Sequence, residues 1–260
     1  MPYTIVCTQH CGKDKRYPQQ QDSLWNGKTV FKKRNLLPEQ YVAHGESIVV
    51  AVADGVGCSP RAELAGLSVL QALANESPGN AFDIYNVWRS QEKVCKRRGT
   101  NTLAGVCCFP DNCQVFNAGD SRVYRITTAG EWQQLSADDA ANNAMMEQER
   151  IEAGMADASV NDALDSSLVA DGEERELSIQ VSWAIHMEVG DTLLLYTDGV
   201  HGTLANWQLQ SLFDANLSPK DQAQVWRDAV LEAGAPDSFS LIVVRYDALD
   251  GVQNIDKNCL

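Results

Sequence analysis

At 260 residues and 44% hydrophobic content, the chain can bury one large core, and no linker-like stretch divides it. Its formal net charge of -14 argues against nucleic acid as the main partner, because polyphosphate binding needs clustered Lys and Arg. No run approaches the roughly 20 apolar residues of a membrane-spanning helix, and residues 1–6 lack the order of a secretory signal, so a soluble cytoplasmic protein without a membrane partner is expected.

In chain order, residues 3–8 alternate loosely and predict a strand, which runs into a polar stretch ending at Asp22. Residues 25–45 are polar and basic with Pro38 among them, and read as a long loop or hairpin insertion. Residues 47–53 are short, β-branched and closed by Asp54-Gly55, the pattern of a fully buried strand. Ser59 and Pro60 then form an N-cap and first-turn pair for a helix with Leu64, Leu67, Leu70 and Ala74 at apolar spacing. A second helix is predicted over 80–97, broken by Gly99-Thr100-Asn101-Thr102.

Three short strands follow at 103–109, 114–118 and 122–127, and their tight connections predict antiparallel neighbours. Residues 137–172 are rich in Ala, Asp, Glu, Asn and Met, with a helix expected over 142–153, and suit a surface insert or lid. Strands are expected again at 179–185 and 191–197. Ser218-Pro219-Lys220-Asp221 opens a capped helix whose apolar face is Ala223, Trp226, Val230 and Ala233 and which stops at Gly234. Residues 241–246 form the last strand and 251–260 a tail, leaving a single domain over 1–250.

The basic residues fall into clusters around 13–16, 28–34 and 93–98, each of which reads as a solvated face, with local anion binding an alternative for the first. Eight cysteines in a long chain without a signal do not form a disulfide framework. Cys107 and Cys108 read as buried small hydrophobes. Cys7 and Cys11 lack the second pair that a zinc site needs, and Cys259 does not fit a prenylation box.

Three carboxylates stand where an apolar run meets a glycine turn: Asp54 in Asp54-Gly55, Asp198 in Asp198-Gly199 and Asp120 in Gly119-Asp120. Asp237 adjoins the last strand in the same way. A lone Asp-Gly is ordinarily a turn and nothing more. Carboxylates converging from distant parts of a chain, however, repel and raise one another's pKa unless cations neutralise them. Oxygen donors without His or thiolate select a hard ion such as Mg²⁺ or Mn²⁺, and two such ions about 3.5–4 Å apart suit hydrolysis of a phosphoryl ester.

The same residues resemble the motifs of the PPM family of metal-dependent protein Ser/Thr phosphatases, in its bacterial form, over roughly residues 3–246 and in family order. Gln20-Gln21-Asp22 is similar to the first acidic motif, Ala53-Asp54-Gly55-Val56-Gly57 to the metal-bridging motif, and Gly99-Thr100-Asn101-Thr102 to a Gly-Thr-Thr-like segment. Gly119-Asp120-Ser121-Arg122 matches a family signature. Leu135-Ser136-Ala137-Asp138 resembles Ser-x-Asp-His, Thr197-Asp198-Gly199-Val200 the later Asp-Gly turn, and Asp237-Ser238-Phe239-Ser240 the Asp-Asn-x-Thr before the last strand.

The resemblance implies an α+β fold, an α/β/β/α four-layer sandwich of two packed, mainly antiparallel sheets flanked by helices, with a flap-like insert at about 139–172. It implies that Asp54 bridges two Mn²⁺ or Mg²⁺ ions with the Gly55 carbonyl on one, that Asp198 and Asp237 hold the other, and that Asp22 orients water around the pair. Asp138 matches a position that binds a third, weaker ion. A water shared by two ions would attack phosphorus, leaving Ser59 and Ser121 structural. Two departures stand out: Tyr17 occupies the place of the usual phosphate-gripping Arg, so that Arg16 becomes the candidate grip, and Asp139 replaces the motif histidine. His44, His186 and His201 are assigned to packing, and Cys58 beside the bridging turn is a candidate redox-sensitive thiol.

The implied function is hydrolysis of phosphoserine and phosphothreonine in proteins, opposing a Ser/Thr kinase. The alternative is a pseudophosphatase that keeps the fold as a phosphopeptide- or partner-binding module. A nucleotide-binding enzyme is set aside, because Gly55-Val56-Gly57 is too short for a phosphate loop.

Overall fold

The computed structural model describes residues 2–13, 19–55, 62–92, 100–138, 168–169 and 179–247. Arg16, Cys58, the Ser59-Pro60 cap, the helix expected over 142–153, most of the 139–172 insert and the 251–260 tail lie outside the described residues. The strands are β1 (Pro2–His10), β2 (Ser23–Trp25), β3 (Val30–Phe31), β4 (Asn35–His44), β5 (Ile48–Ala53), β6 (Thr100–Asn101), β7 (Leu103–Cys108) and β8 (Asn112–Ala118). They continue with β9 (Arg122–Ile126), β10 (Trp132–Gln134), β11 (Leu168–Val169), β12 (Gln180–Val181), β13 (Ile185–His186), β14 (Thr192–Tyr196) and β15 (Phe239–Tyr246). The helices are α1 (Ala62–Glu76), α2 (Ala81–Glu92), α3 (Asp198–His201), α4 (Asn206–Ser211) and α5 (Pro219–Glu232).

Alternation along the strands builds four layers. In β1, Tyr3, Ile5 and Cys7 join Val50 and Val52 of β5 in a core between two sheets, together with Val106, Leu193, Leu195 and Ile242. The opposite face of β5, Val49, Ala51 and Ala53, packs on Val69, Leu70 and Leu73 of α1 and Ile84 of α2. The opposite face of the other sheet, including Val6, Leu194, Tyr196 and Val243, packs on Ala223, Trp226 and Val230 of α5. Each Val, Leu or Ile so enclosed contributes about 1.5–3 kcal/mol. The resulting α/β/β/α sandwich is the fold class expected from the sequence.

The first sheet runs β10-β9-β14-β15-β1-β4 and the second β12-β8-β7-β5-β2-β3, with β13 also pairing β8. The pairings are antiparallel throughout the described strands. Among the described residues no helix is long and apolar enough to cross a membrane. Ser218 caps α5 by accepting from Asp221 N, as its sequence pattern predicts.

Three local expectations are corrected. Residues 35–44, within the stretch read as a long loop or hairpin insertion, form a ten-residue edge strand that pairs with β1 and whose burial alternates, and Pro38 is tolerated there because an edge strand needs no donor on its outer side. A register shift between Cys7 and Gln9 in the facing strand accommodates it. The strands β8 and β9, joined by only three residues, are not neighbours: β8 pairs with β7 in the second sheet and β9 with β14 in the first. Finally, α1 buries Ala65, Val69, Leu70 and Leu73 rather than Leu64, which is exposed.

Candidate metal centre

Strand register alone brings the carboxylates together. Ser23 pairs with Ala53, so Asp22 and Asp54 lie side by side at one end of the second sheet. In the first sheet Tyr196 pairs with Arg122 on one side and Leu241 on the other, so Asp198 falls beside Asp120 and close to the start of β15, where Asp237 stands. The two ends meet through Thr197, whose hydroxyl donates to Asp22 Oδ2 at 2.7 Å and accepts from Ser240 N at 2.9 Å. Gln9, fully buried, adds a second tie by donating from Nε2 to the Asp22 carbonyl at 3.2 Å and to Ser240 Oγ at 2.9 Å.

Asp54 is held by its own backbone. Thr102 N donates to the Asp54 carbonyl at 2.8 Å, Asp54 N donates to Thr102 Oγ1 at 3.3 Å, and Gly55 bridges to Asn101. Thr102 Oγ1 also lies 2.8 Å from Ser121 Oγ, while Asn117 Nδ2 donates to the Ser121 carbonyl at 2.8 Å. The Thr100-Asn101-Thr102 segment therefore clamps the proposed bridging residue, and Ser121 is part of the clamp. The segment β11, at the far end of the insert, pairs with β6 and so returns the chain beside this clamp.

Two glycines permit the close approach. Gly119, at φ 97, carries the chain from one sheet to the other, and a Cβ there would lie 2.7 Å from Thr102 Cγ2. A Cβ on Gly199 would lie 1.9 Å from the Ser238 carbonyl oxygen, so only glycine lets the Asp198 turn pack against the Asp237 loop.

Burial raises the Asp54 carboxyl well above the carboxylate range, and the charges of Asp198 and Asp22 push it further. Asp198 is raised by burial first and then by Asp120 and Asp237. Asp22 is raised by burial, against the lowering effect of its hydrogen bonds with Asp54 and Thr197. Asp54 and Asp198 keep part of their surface open, yet protein surrounds their carboxyl groups on most sides. Among the described residues no three of His, Cys, Asp and Glu stand in ready ligating geometry, and Asp54 instead hydrogen-bonds to Asp22 and Asp198.

The donor chemistry fits a hard divalent cation. Asp22 Oδ1 and Asp198 Oδ1 are buried without a hydrogen-bond partner, and the converging groups are all oxygen donors.

The structure brings Asp22, Asp54, Asp198 and Asp237 together, and adds Asp120, which the Gly-Asp signature marks in the sequence but which the resemblance does not place among the ligands. Asp138 is engaged elsewhere: Arg122 Nε donates to its two oxygens at 2.9 and 3.0 Å, and Gln134 Nε2 donates at 3.1 Å. His201, assigned to packing, is half-buried with Nε2 3.1 Å from the Asp120 carbonyl, and burial pushes its imidazole down to about 4. Gln9 carries no sequence signal, being a polar residue at the end of an alternating strand.

No family model and no curated protein matches the chain. Solved structures do match. The S. agalactiae serine/threonine phosphatase aligns with a TM-score of 0.72 at 16% identity, covering 94% of this chain and 100% of that one. The PPM Ser-Thr phosphatase MsPP from Mycobacterium smegmatis, in complex with cacodylate, aligns at 0.68 and 19% identity over 93% and 97% of the two chains. The catalytic domain of the phosphatase PstP, in complex with two manganese ions, aligns at 0.65 and 18% identity over 95% and 100%. The fold of this chain is therefore that of the bacterial PPM-type serine/threonine phosphatases.

Proposed function

We propose that this chain is a metal-dependent protein serine/threonine phosphatase that hydrolyses phosphoserine and phosphothreonine and so opposes a Ser/Thr kinase. The observation that carries this reading is the convergence of Asp22 and Asp54 from one sheet with Asp120, Asp198 and Asp237 from the other. Asp54 and the Gly55 carbonyl would serve two Mn²⁺ or Mg²⁺ ions, Asp198 and Asp237 one of them, and Asp22 the water around the pair. Divalent cations bound there would supply an acidified water and offset charge on the phosphoryl oxygens. The PstP neighbour in complex with two manganese ions supports the choice and number of ions. We assign no third ion to Asp138, since Arg122 takes both its oxygens.

The remaining chemistry belongs to positioning. Thr197 and Gln9 fix Asp22, and Thr102 fixes Asp54, so the acceptors are oriented before a substrate arrives. Ser121 is bonded within the Thr102 clamp, which suits a reaction without a side-chain nucleophile. Release of phosphate from p-nitrophenyl phosphate and from a phosphothreonine peptide in excess Mn²⁺ tests the proposal, and release from neither overturns it.

A phosphopeptide-binding module without turnover is the second reading, favoured by the hydrogen bonds that Asp54 makes with Asp22 and Asp198. Phosphopeptide binding without phosphate release, in the same conditions, would establish it.

A further inference from the structure

The basic stretch that follows β3 is more than a solvated face. Leu24 pairs with Phe31 and Ser23 with Ala53, so the chain leaving β3 runs past Asp22, with Asp54 one strand further in. Its backbone is pinned there, with Lys33 N donating to Gln9 Oε1 at 2.7 Å and Gln20 Nε2 donating to the Lys33 carbonyl at 3.2 Å. Lys33 is exposed and lays its ammonium over the Phe31 ring, 5.1 Å from the centroid. Lys32 is half-buried, and its Nζ lies 3.5 Å from the Gln21 carbonyl, one residue before Asp22.

The carboxylates of Asp22, Glu63 and Asp54 all act on this ammonium and oppose the effect of its burial. A dianionic phosphate ester entering a crevice of buried carboxylates, in a chain of formal net charge -14, meets repulsion that a cation at the rim must offset. A lysine suits this place, since its stem is flexible, it presents three donors, and partial burial spares its charge from screening by salt.

We infer that Lys32 grips the phosphoryl oxygens of the substrate, making the stretch after β3 the anion subsite of the acidic centre. This rests on the phosphatase reading above and names the residue that admits its substrate.

The test uses the full chain saturated with Mg²⁺ and inorganic phosphate as the probe, titrated calorimetrically, with p-nitrophenyl phosphate kinetics beside it. Lys32→Met is expected to weaken phosphate binding and to raise KM by about tenfold, the order of one charge-assisted hydrogen bond. Lys32→Arg should recover most of the loss, and Lys33→Met should stay within about twofold of wild type. The inference fails if wild type binds no phosphate, if Lys32→Met binds it within about twofold of wild type, if Lys33→Met loses as much, or if Lys32→Met loses its Mg²⁺ affinity. Unchanged phosphate binding in an active Lys32→Met protein sinks the grip alone. Phosphate binding through Lys32 in a protein that hydrolyses nothing sinks the phosphatase reading and keeps the grip.

Discussion

Asp54 is costly to fold, because burial and the charges of Asp198 and Asp22 all disfavour its ionised form. Asp54→Asn keeps the shape and removes one repelling charge. Its metal-free stability, measured by urea unfolding in chelator, is expected to rise by about 1–2 kcal/mol, while phosphate release in Mn²⁺ falls about a thousandfold. A fall in metal-free stability would instead make the carboxylate structural. Arg227 shows the reverse economy, being a nearly buried cation satisfied by neutral acceptors: Thr8 Oγ1 at 3.0 Å, the carbonyls of Gln9 at 3.1 Å and Leu36 at 3.3 Å, and Asn35 Oδ1. It fixes α5 to the end of β1, from which Gln9 reaches Asp22. Asp54 is legible in sequence because a strand end and a glycine turn are local signals, whereas Gln9 and Arg227 become meaningful only when strands distant in sequence lie together.

Among the elements, the three-residue link from β8 to β9 matters most to the site, because it changes sheets and sets Asp120 beside Asp198. Gly119→Val puts a β-branched residue at φ 97 and a Cβ against Thr102, which holds the Asp54 backbone. A loss of about 2–3 kcal/mol is expected in urea unfolding, together with reduced phosphatase activity; an unchanged midpoint would show that the crossing relaxes at little cost. The end of β1 carries a pH-dependent support. His10 Nδ1 accepts from Gly12 N at 3.1 Å, its ring stacks on Phe239 at 5.9 Å, and Gly12 packs against the Asp237 peptide.

Burial, then Arg227, Lys13 and Arg34, lower the His10 pKa below its ordinary 6.5. The unfolded chain therefore takes up this proton before the folded one, so the contribution of His10 is present above about pH 6.5 and is lost as pH falls toward the lowered value. Thermal midpoints should accordingly drop more between about pH 7.5 and 5.5 in wild type than in His10→Phe, which keeps the ring but has nothing to protonate. Equal drops would remove His10 from the pH response.

At the scale of the whole molecule, each sheet carries part of the carboxylate cluster, Asp22 and Asp54 on one and Asp120, Asp198 and Asp237 on the other. On the proposed reading, ions bound by both sets would join the sheets and bind only the folded chain. Mn²⁺ at 100 times its dissociation constant should add about 2.7 kcal/mol of stability, and the thermal midpoint should rise by roughly 5–10 °C. Chelator should reverse the rise and Asp54→Asn abolish it. A midpoint indifferent to Mn²⁺ would argue against a metal site shared by the two sheets.

The amino-acid sequence by itself determined the strands with both faces buried, such as β5 and β15, the Ser218 cap of α5, and the placing of carboxylates at glycine turns. These rest on side-chain period and turn preference, both local properties. Only the tertiary structure decided which sheet each strand joins, since pairing depends on which distant strand can cover an apolar face. The link from β8 to β9 reads locally as a hairpin, and the edge strand β4 reads as part of a long loop or hairpin insertion because its outer side asks for no partner. The same packing set Asp138 against Arg122 and Lys32 against the Gln21 carbonyl, where residue type and spacing alone could name the groups but not aim them.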